Sequence, residues 1–558
     1  MKKIALIGLI AAFTTAAWAI PAKPGPTVIT ETDGTERTVY LHGDEFFHYM
    51  TLEDGRWVEM QNGRLVEVPA LTQDEIMSRH ETGRAKLAPQ RIMNATTEGM
   101  PLNIAPRGLV ILANFSDVSF KEENNLAAFE AMFNSETYNY HGATGSARRY
   151  FEDQSFGQYQ PVFDIVGPVT VSQPQKYYGS NNRMGDDAHP DELIIEACQL
   201  ADADWGVDFS IYDNDHDGFI DFVYVFYAGQ GEADGGATYT IWPHTAYIYT
   251  SYGKNVYLDG KRLNTYACSN EIHYVLGFGL TRTGIGPFCH EFSHVLGLMD
   301  HYATNNSIAK QTGYWDLMCS GNYNNNSNTP AGYTAYERFY MGWGTPVILN
   351  EPVTIDSMKS LVTSGEMYIV TETGESNLQG NNPNPAKFYM LENRVRESWD
   401  MYLPGEGLLI TRINFSFSRW MSNTVNNYEP LGYDIIEADG KTPEYPNDGW
   451  TGKSTDVFPT EDVNSCLLFD NIPVSGIKRH DNGTIIFHFK GGSDHVGLIA
   501  KEKAEELYGA DFTEVVAVYD AAGRKVHNEG SLNDLPQGMY IVAVSNGKKE
   551  KGIKIYIK

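Results

Sequence analysis

The sequence predicts an α+β protein in which a mixed core is flanked on both sides by β-rich modules. The chain has 558 residues, more than one domain usually holds. Strand-like and helix-like patterns alternate over residues 106–345, which is typical of an α/β or α+β core. Before and after that range, short alternating segments separated by Gly, Asn and Asp indicate strands and turns.

The first residues predict a signal peptide over 1–19. A positively charged start precedes an apolar run, and Ala17-Trp18-Ala19 has the small-x-small pattern of a cleavage site. The run is short for a bilayer span and a Pro-rich stretch follows it, which favours cleavage over an anchor. No later segment stays apolar for the roughly 18 residues of a span, so we expect no transmembrane helix after cleavage.

Residues 20–105 predict a small β-rich module ahead of the core. The pieces TDGT, EDGR and QNGR, placed between alternating segments, are hairpin-turn signals. Residues 72–99 indicate a polar linker that tolerates helix.

The strongest patterns within the core predict two strands and two helices. Continuous apolar runs predict buried strands at 107–117 and 221–229. Apolar positions at helical spacing predict one helix that ends near Gly157 and another over 191–203.

Two further modules are expected after the core. Residues 346–492 predict a β-rich accessory domain, because strand segments there alternate with Gly, Pro and Asn while helical signals fade. Residues 493–558 predict a small terminal β-sandwich.

Composition excludes one class of partner. The chain has 71 acidic and 42 basic residues and a net charge of −29, which repels phosphates and argues against nucleic acid. Its five cysteines are an odd number, so at least one thiol stays unpaired. None has the CxxC spacing of a structural zinc site.

The stretch CHEFSHVLGLMD, residues 289–300, predicts a metal-binding helix. His290 and His294 are four positions apart and therefore project from one face, one turn apart. Two imidazoles so placed can share one tetrahedral zinc ion at about 2.0–2.1 Å each. Glu291 is rotated by roughly 100° from His290, so it misses the ion but reaches its solvent side, where a general base acts.

The residues around this helix fit the same interpretation. Pro287 suits its first turn and Gly297 its exit. A left-handed Gly297 would turn the chain back, so that Asp300 can approach the ion as third ligand. Met318 lies in the tight segment GYWDLMCSGNY; in metzincin-like enzymes a Met in such a turn forms an apolar floor beneath the metal. The combined pattern favours a catalytic zinc site over a helix with accidental histidines.

Several stretches resemble the immune inhibitor A family of secreted zinc metallopeptidases. They are CHEFSHVLGLMDHY, GYWDLMCSGNYNNNSNTPAGYTAYERFYMGW, RGLVILANFSD, RRYFEDQSFGQYQPVFDIVGPV and DNDHDGFIDFVYVFYAGQGEA in the core, and GDEFFHYMTLEDG before it. The resemblance extends over about residues 25–345. It implies a metzincin-like catalytic domain at 106–345, preceded by a prosegment at 20–105.

The resemblance also implies roles for the motif residues. His290 and His294 would bind zinc, and Glu291 would be the catalytic base of peptide hydrolysis. The residue that helps to polarise the substrate is left open among three candidates: Tyr302, Tyr323 and His244.

The third zinc ligand has rivals. Family members often have proline where this chain has Met299, although Asp300 stays in register. His301 is a rival ligand, and Glu337 in the AYERFY segment is another.

A second metal site is predicted in DNDHDGFID. Its acidic residues are Asp213, Asp215, Asp217 and Asp221. Gly218 occupies the sixth position, as in the start of an EF-hand loop that binds Ca²⁺. The twelfth position is Tyr224 rather than Glu, so the loop is not a complete EF-hand. The alternative is an acidic surface turn.

The leading module is expected to inhibit the enzyme. No cysteine occurs before Cys198, so a thiolate from the prosegment cannot cap the zinc. A carboxylate, an imidazole, a backbone group or a simple plug remains; His48 and Asp54 lie near the predicted turn.

The last stretch resembles the sorting domain of the type IX secretion system. VYDAAGRKV, LPQGMYIV and a basic final strand carry this resemblance. It implies the type IX secretion machinery as a partner, transport across an outer membrane, and then surface attachment or release.

The sequence therefore predicts a secreted zinc endopeptidase, made as a zymogen, that acts on extracellular proteins or peptides. The alternative is a surface adhesin or binding protein built on an inactive peptidase fold. The intact HExxH motif with its Glu291 disfavours that alternative.

Overall fold

A computed structural model describes residues 18–44, 46–87, 105–181, 187–305, 312–441, 452–492, 495–509, 514–527 and 538–557. The predicted mixed α+β class is confirmed. Most of the predicted signal peptide, residues 1–17, lies outside the described residues. Within them, no helix combines the length and the hydrophobicity needed to cross a bilayer.

The leading module is a five-stranded antiparallel sheet followed by a helix. After β1 (Trp18–Ala19), which joins the core, its elements are β2 (Pro26–Thr30), β3 (Glu36–Gly43), β4 (His48–Thr51), β5 (Trp57–Gln61), β6 (Arg64–Glu67) and α1 (Gln73–Leu87). Gly55 and Gly63 adopt φ values of +82° and +75° in two of the predicted turns. Where a linker was predicted, the Thr72 and Glu75 side chains each accept the other residue's N–H and start α1.

The core is a six-stranded sheet in which β1 and β11 form the antiparallel edge. The strands of this region are β7 (Arg107–Asn114), β8 (Val162–Thr170), β9 (Phe219–Ile220), β10 (Val223–Tyr227), β11 (His244–Tyr247), β12 (Val256–Leu258), β13 (Lys261–Leu263), β14 (Thr265–Asn270), β15 (Ile272–Val275) and β16 (Gly279–Arg282). The sheet order is β1-β11-β14-β10-β7-β8, with β14, β10, β7 and β8 parallel.

Helices cover both faces of this sheet. The helices of this region are α2 (Leu126–Asn134), α3 (Ala147–Gln154), α4 (Gln175–Gly179), α5 (Pro190–Trp205), α6 (Ile248–Tyr252), α7 (Gly286–Val295) and α8 (Ala335–Tyr340). Alternate residues of β7 pack with α7 on one face and with α5 on the other, which explains its continuous apolar run. The buried strand predicted at 107–117 and the helix predicted at 191–203 are thus confirmed to within a few residues.

Residues 347–489 form two sheets that share one apolar core. Their strands are β17 (Val347–Ile348), β18 (Val353–Met358), β19 (Met367–Val370), β20 (Lys387–Arg394), β21 (Gly407–Asn414), β22 (Tyr433–Ile435), β23 (Cys466–Leu468), β24 (Ile472–Arg479) and β25 (Ile485–Phe489). Among the described residues of this module, two short α-helices, α9 (Leu361–Ser364) and α10 (Phe417–Met421), and a 3-10 turn at Ser398–Asp400 interrupt the predicted β structure.

This accessory module packs directly on the core. Tyr336 and Phe339 of α8 share an apolar cluster with Ile369 and Phe388 of the module. The fully buried Arg394 also donates to the Gly332 carbonyl at 3.1 Å. The module therefore shares a buried interface with the core.

The terminal module differs from the predicted β-sandwich. Its described elements are α11 (His495–Tyr508), β26 (Glu514–Asp520), β27 (Lys525–His527), β28 (Gly538–Ser545) and β29 (Glu550–Ile557). The strands form one antiparallel sheet in the order β27-β26-β28-β29. Ala500 and Ala504 of α11 are buried against the apolar face of this sheet. Their small side chains let the helix approach the sheet closely. In the described residues, a helix therefore covers this sheet where a second sheet was predicted.

All five cysteines are free thiols, and four of them are buried. No disulfide therefore contributes to the stability of this chain.

Candidate metal centre

Helix α7 carries the predicted metal motif and is buried along its whole length. Pro287 lies in its first turn, as predicted. At Gly286, an added Cβ would lie 1.8 Å from the Asn322 carbonyl oxygen, so this approach requires glycine. Gly297 has φ +103° just after the helix, which turns the chain back as predicted.

Three side-chain atoms converge beyond this turn. The Nε2 atoms of His290 and His294 are 3.2 Å apart, and the Asp300 Oδ1 lies 3.2 Å and 3.3 Å from them. Ligands about 2.0–2.1 Å from a tetrahedral zinc ion are separated by about 3.3–3.4 Å. The three atoms therefore have the spacing that a shared ion requires.

The hydrogen bonds of the two rings support this fit. The Nδ1 of His290 donates to the Leu317 carbonyl at 2.8 Å, and that of His294 donates to the Leu298 carbonyl at 2.9 Å. Each ring thus directs Nε2, the atom that would bind a metal, toward the Asp300 oxygen.

The charge of Asp300 fits the same site. Burial by itself would raise the pKa of this carboxyl, but the charges and hydrogen bonds of His294 and His290 lower the pKa well below its usual range. Asp300 is fully buried, and it is therefore an anionic group in an enclosed place, as a metal ligand needs to be.

Glu291 faces the same space from the next position of α7. Its carboxylate accepts hydrogen bonds from the Thr245 hydroxyl at 2.5 Å and from the Ile20 N–H at 3.0 Å. Burial raises the pKa of Glu291 to about 8, although the charge of His290 and the Thr245 hydrogen bond oppose the rise. A carboxylate with such a pKa is suited to accept and release a proton near neutral pH.

The turn around Met318 lies against the histidines. Met318 is fully buried, and its carbonyl accepts the His301 N–H at 2.8 Å. The neighbouring Leu317 supplies the carbonyl that orients His290. The turn thus positions one ring as well as packing near it.

The rival third ligands lie in another cluster. His301 Nδ1 donates to Asp316 at 2.6 Å, and the side chains of His301, Asp316 and Glu337 form a second buried group. Glu337 also accepts the Thr334 N–H at the start of α8. The structure therefore brings Asp300, and neither rival, to His290 and His294.

Sequence reasoning missed a residue from the accessory module. The Asn423 amide donates to Asp300 Oδ2 at 2.5 Å and accepts the Asp300 N–H at 2.8 Å. The Asn423 carbonyl accepts the Thr304 hydroxyl at 2.6 Å, and Asn426 donates to the His301 carbonyl at 2.8 Å. The accessory module therefore orients Asp300, the predicted third ligand.

Comparison with known proteins agrees with this centre. Residues 107–343 match the family model of the catalytic domain of immune inhibitor A peptidase M6. We refer to residues 107–343 as the M6 domain because of this match.

Two relatives share more than the M6 domain with this chain. Over 386 residues it is 23% identical to the pre-pro-metalloprotease PrtV of Vibrio cholerae serotype O1. Over 390 residues it is 22% identical to immune inhibitor A of Bacillus thuringiensis subsp. alesti. The alignments cover 60% and 59% of this chain, but 41% and 55% of those proteins. The chain thus spans about half the length of the curated relatives it matches.

The three residues considered as helpers in the M6 domain have different surroundings. The two ring nitrogens of His244 are hydrogen-bonded to the Trp242 carbonyl at 2.7 Å and to the Tyr266 hydroxyl at 2.8 Å. Tyr302 is buried. The Tyr323 hydroxyl donates to the Pro21 carbonyl at 2.7 Å, and so faces the segment that approaches Glu291.

That N-terminal segment lies along the edge of the M6 sheet. In β1, Trp18 and Ala19 pair antiparallel with Thr245 and His244 of β11. Beyond the Ile20 contact with Glu291, the Trp242 ring N–H donates to the Ile20 carbonyl at 3.1 Å. The segment therefore adds a strand to the sheet, as extended peptides do when they bind a sheet edge.

The four acidic side chains of the predicted calcium loop lie close to one another. Carboxylate oxygens of Asp213, Asp215, Asp217 and Asp221 lie within 4.8 Å of one another. Gly218 has φ +95°, which allows the tight bend. Burial raises the pKa of Asp221 to about 7, and the charges of Asp215 and Asp217 add to the rise. Lys261 pairs with Asp213 at 2.5 Å, so one cation already lies at the loop.

Proposed function

We propose that this chain is a zinc-dependent endopeptidase that hydrolyses peptide bonds of extracellular proteins. The observation that carries the proposal is the spacing of His290, His294 and Asp300 with the buried Glu291 beside them. The M6 match supports the same reaction class. A zinc ion held by these three residues would supply a Lewis acid and an activated water.

The chain's own residues supply the proton transfers. Glu291 takes a proton from the water that attacks the peptide carbonyl, and gives it to the nitrogen of the leaving amine as the C–N bond breaks. The Ile20 nitrogen lies 3.0 Å from Glu291 Oε1, which is where a leaving amine would receive that proton. Thr245 holds the other carboxylate oxygen of Glu291 and keeps it directed into the cleft.

Removal of zinc tests the reaction class. We expect the purified chain, after its own processing, to contain about one zinc per molecule, to cleave members of a peptide library, and to lose cleavage after a chelator. Added zinc should restore cleavage, because His290, His294 and Asp300 are already oriented by protein hydrogen bonds. Cleavage that persists in the zinc-free protein would contradict the proposal.

We also propose that the enzyme is made as a zymogen inhibited by residues 20–105. Ile20 is 1% exposed and packs with Trp242 and Tyr323 of the M6 domain. With this segment in place, a substrate cannot reach Glu291. If the signal peptide ends at Ala19, the α-amino group of Ile20 is the atom beside that carboxylate.

A charge at position 20 should release this inhibition. In Ile20→Asp, a carboxylate would be buried against Trp242 and Tyr323 without a partner, and burial of an unpaired charge costs several kcal/mol. We expect the unprocessed chain to hydrolyse a reporter peptide about tenfold faster than wild type, with chain length checked on a gel. The matched control is Val66→Asp on exposed β6, which should leave the rate unchanged. Equal rates for both variants would count against latency.

We propose Ca²⁺ as the ligand of the acidic loop at 213–221. Added calcium should raise the midpoint of thermal unfolding by about 2–4 °C, since a ligand that binds only the folded state stabilises it. A calcium-selective chelator should reverse the rise while zinc stays bound. The double variant Asp215→Asn/Asp217→Asn is expected to lose the response. An unchanged response in that variant would place calcium elsewhere.

We propose that the terminal module directs export through the type IX secretion machinery. Its resemblance to sorting domains supports this, and its apolar core is built from its own residues. Truncation after Gly492 in a host with that machinery should retain the enzyme inside the outer membrane. Release of the truncated chain into the medium would contradict the proposal.

A further inference from the structure

The N-terminal segment places a basic side chain against the M6 domain, on the C-terminal side of the Ala19–Ile20 bond. Lys23 lies three residues further along, and its backbone N–H donates to the Ala233 carbonyl at 2.9 Å. Its Nζ donates to the Tyr274 carbonyl, also at 2.9 Å. Both acceptors belong to the M6 domain, so this side chain has a defined place there.

A buried carboxylate lies beside that place. Asp234 is 3% exposed, accepts a hydrogen bond from the Asn270 amide at 3.2 Å, and lies 3.7 Å from His273. Burial lowers the pKa of His273 to about 3, so this ring is neutral. Burial raises the pKa of Asp234 to about 6, and the charge of Lys23 opposes that rise.

We propose that Asp234 and the Tyr274 carbonyl form a subsite for a basic side chain at the fourth residue after the cleaved bond. This inference rests on the proposed peptidase function. Because β1 pairs with β11 and leaves the Ile20 nitrogen at Glu291, a substrate in the same register has its fourth residue where Lys23 lies. The Lys23 position thus indicates the substrate class, which is peptides with a basic residue at that position.

The preference follows from desolvation. A carboxylate held away from water is costly unless a cation accompanies it. Once the prosegment has left, Asp234 loses the charge of Lys23. A substrate Lys or Arg restores a cation, whereas a neutral side chain leaves the carboxylate and the Tyr274 carbonyl without one.

Two peptides test the subsite. They are identical except for Lys or norleucine at the fourth residue after the cleaved bond, and mass spectrometry confirms the bond. With the full chain after its own processing, we expect kcat/KM to be about tenfold higher for the Lys peptide. In Asp234→Asn, which keeps the shape, the ratio should fall to about one. The matched control Asp204→Asn, on the exposed side of α5, should keep the wild-type ratio.

A second measurement needs no variant. The peptide IPAKPG has the sequence of residues 20–25, and it should inhibit the wild-type enzyme about tenfold more strongly than its norleucine form. Equal inhibition by the two peptides, or equal kcat/KM for the two substrates, overturns the subsite. The proposed peptidase function still stands in that case, because the substrates are cleaved. A Lys preference that survives Asp234→Asn also overturns it. If wild type cleaves no peptide at all, the proposed function fails and the subsite fails with it.

Discussion

Replacing Glu291 with glutamine should lower kcat/KM for peptide hydrolysis by about 10²–10⁴-fold. The amide keeps the shape of the carboxylate: its oxygen can accept the Ile20 N–H, and its NH2 group can donate to the Thr245 hydroxyl, which now donates to the carboxylate. It cannot take up a proton and pass it on. Because His290, His294 and Asp300 are unchanged, the variant should contain as much zinc as wild type. Peptide cleavage and metal content are measured on the same preparation.

Two comparisons make this expectation decisive. The control Glu136→Gln removes an exposed carboxylate of the same domain and should leave kcat/KM within about twofold of wild type. If Glu291→Gln keeps wild-type activity, the base is another group. If it loses both zinc and activity, Glu291 supports the metal site instead of transferring a proton.

Local patterns were sufficient to predict helix α7 and the shared face of its two histidines. The shared face of His290 and His294 depends only on helical periodicity, and Pro287 and Gly297 mark the two ends of α7. The buried strand β7 was equally predictable, because a continuous apolar run indicates a strand that is covered on both faces. Predictions of this kind need no knowledge of residues distant in the chain.

Contacts between distant segments could not be predicted in this way. The contact of Ile20 with Glu291 depends on β1 joining the sheet edge at β11, which no local pattern encodes. The choice among Asp300, His301 and Glu337 also depends on tertiary structure, because His301 is turned toward Asp316. Helix α11 was missed because strand-rich sequence follows it, although Ala500 and Ala504 already lie at helical spacing.

Asn423 is the most informative of the missed residues. It is 123 positions away from Asp300, in a module that has no catalytic motif of its own, and an asparagine carries no sequence signal for such a role. Its amide group hydrogen-bonds to both the side chain and the backbone N–H of Asp300. A metal ligand held by two hydrogen bonds loses less freedom on binding its ion, and outer-shell partners of this kind support metal affinity.

Replacing Asn423 with alanine should therefore weaken zinc binding by about 10–100-fold, because Asp300 loses its donor and its backbone restraint. Zinc release to a chromophoric chelator measures the effect without any substrate. The control Asn426→Ala breaks contacts of the same loop with His301 and Tyr433 but none with Asp300. Both variants should unfold at similarly lowered temperatures, whereas only Asn423→Ala should release zinc faster at 25 °C. Equal release rates would mean that the loop stabilises the fold without positioning the ligand, and that the accessory module has no direct part in the metal centre.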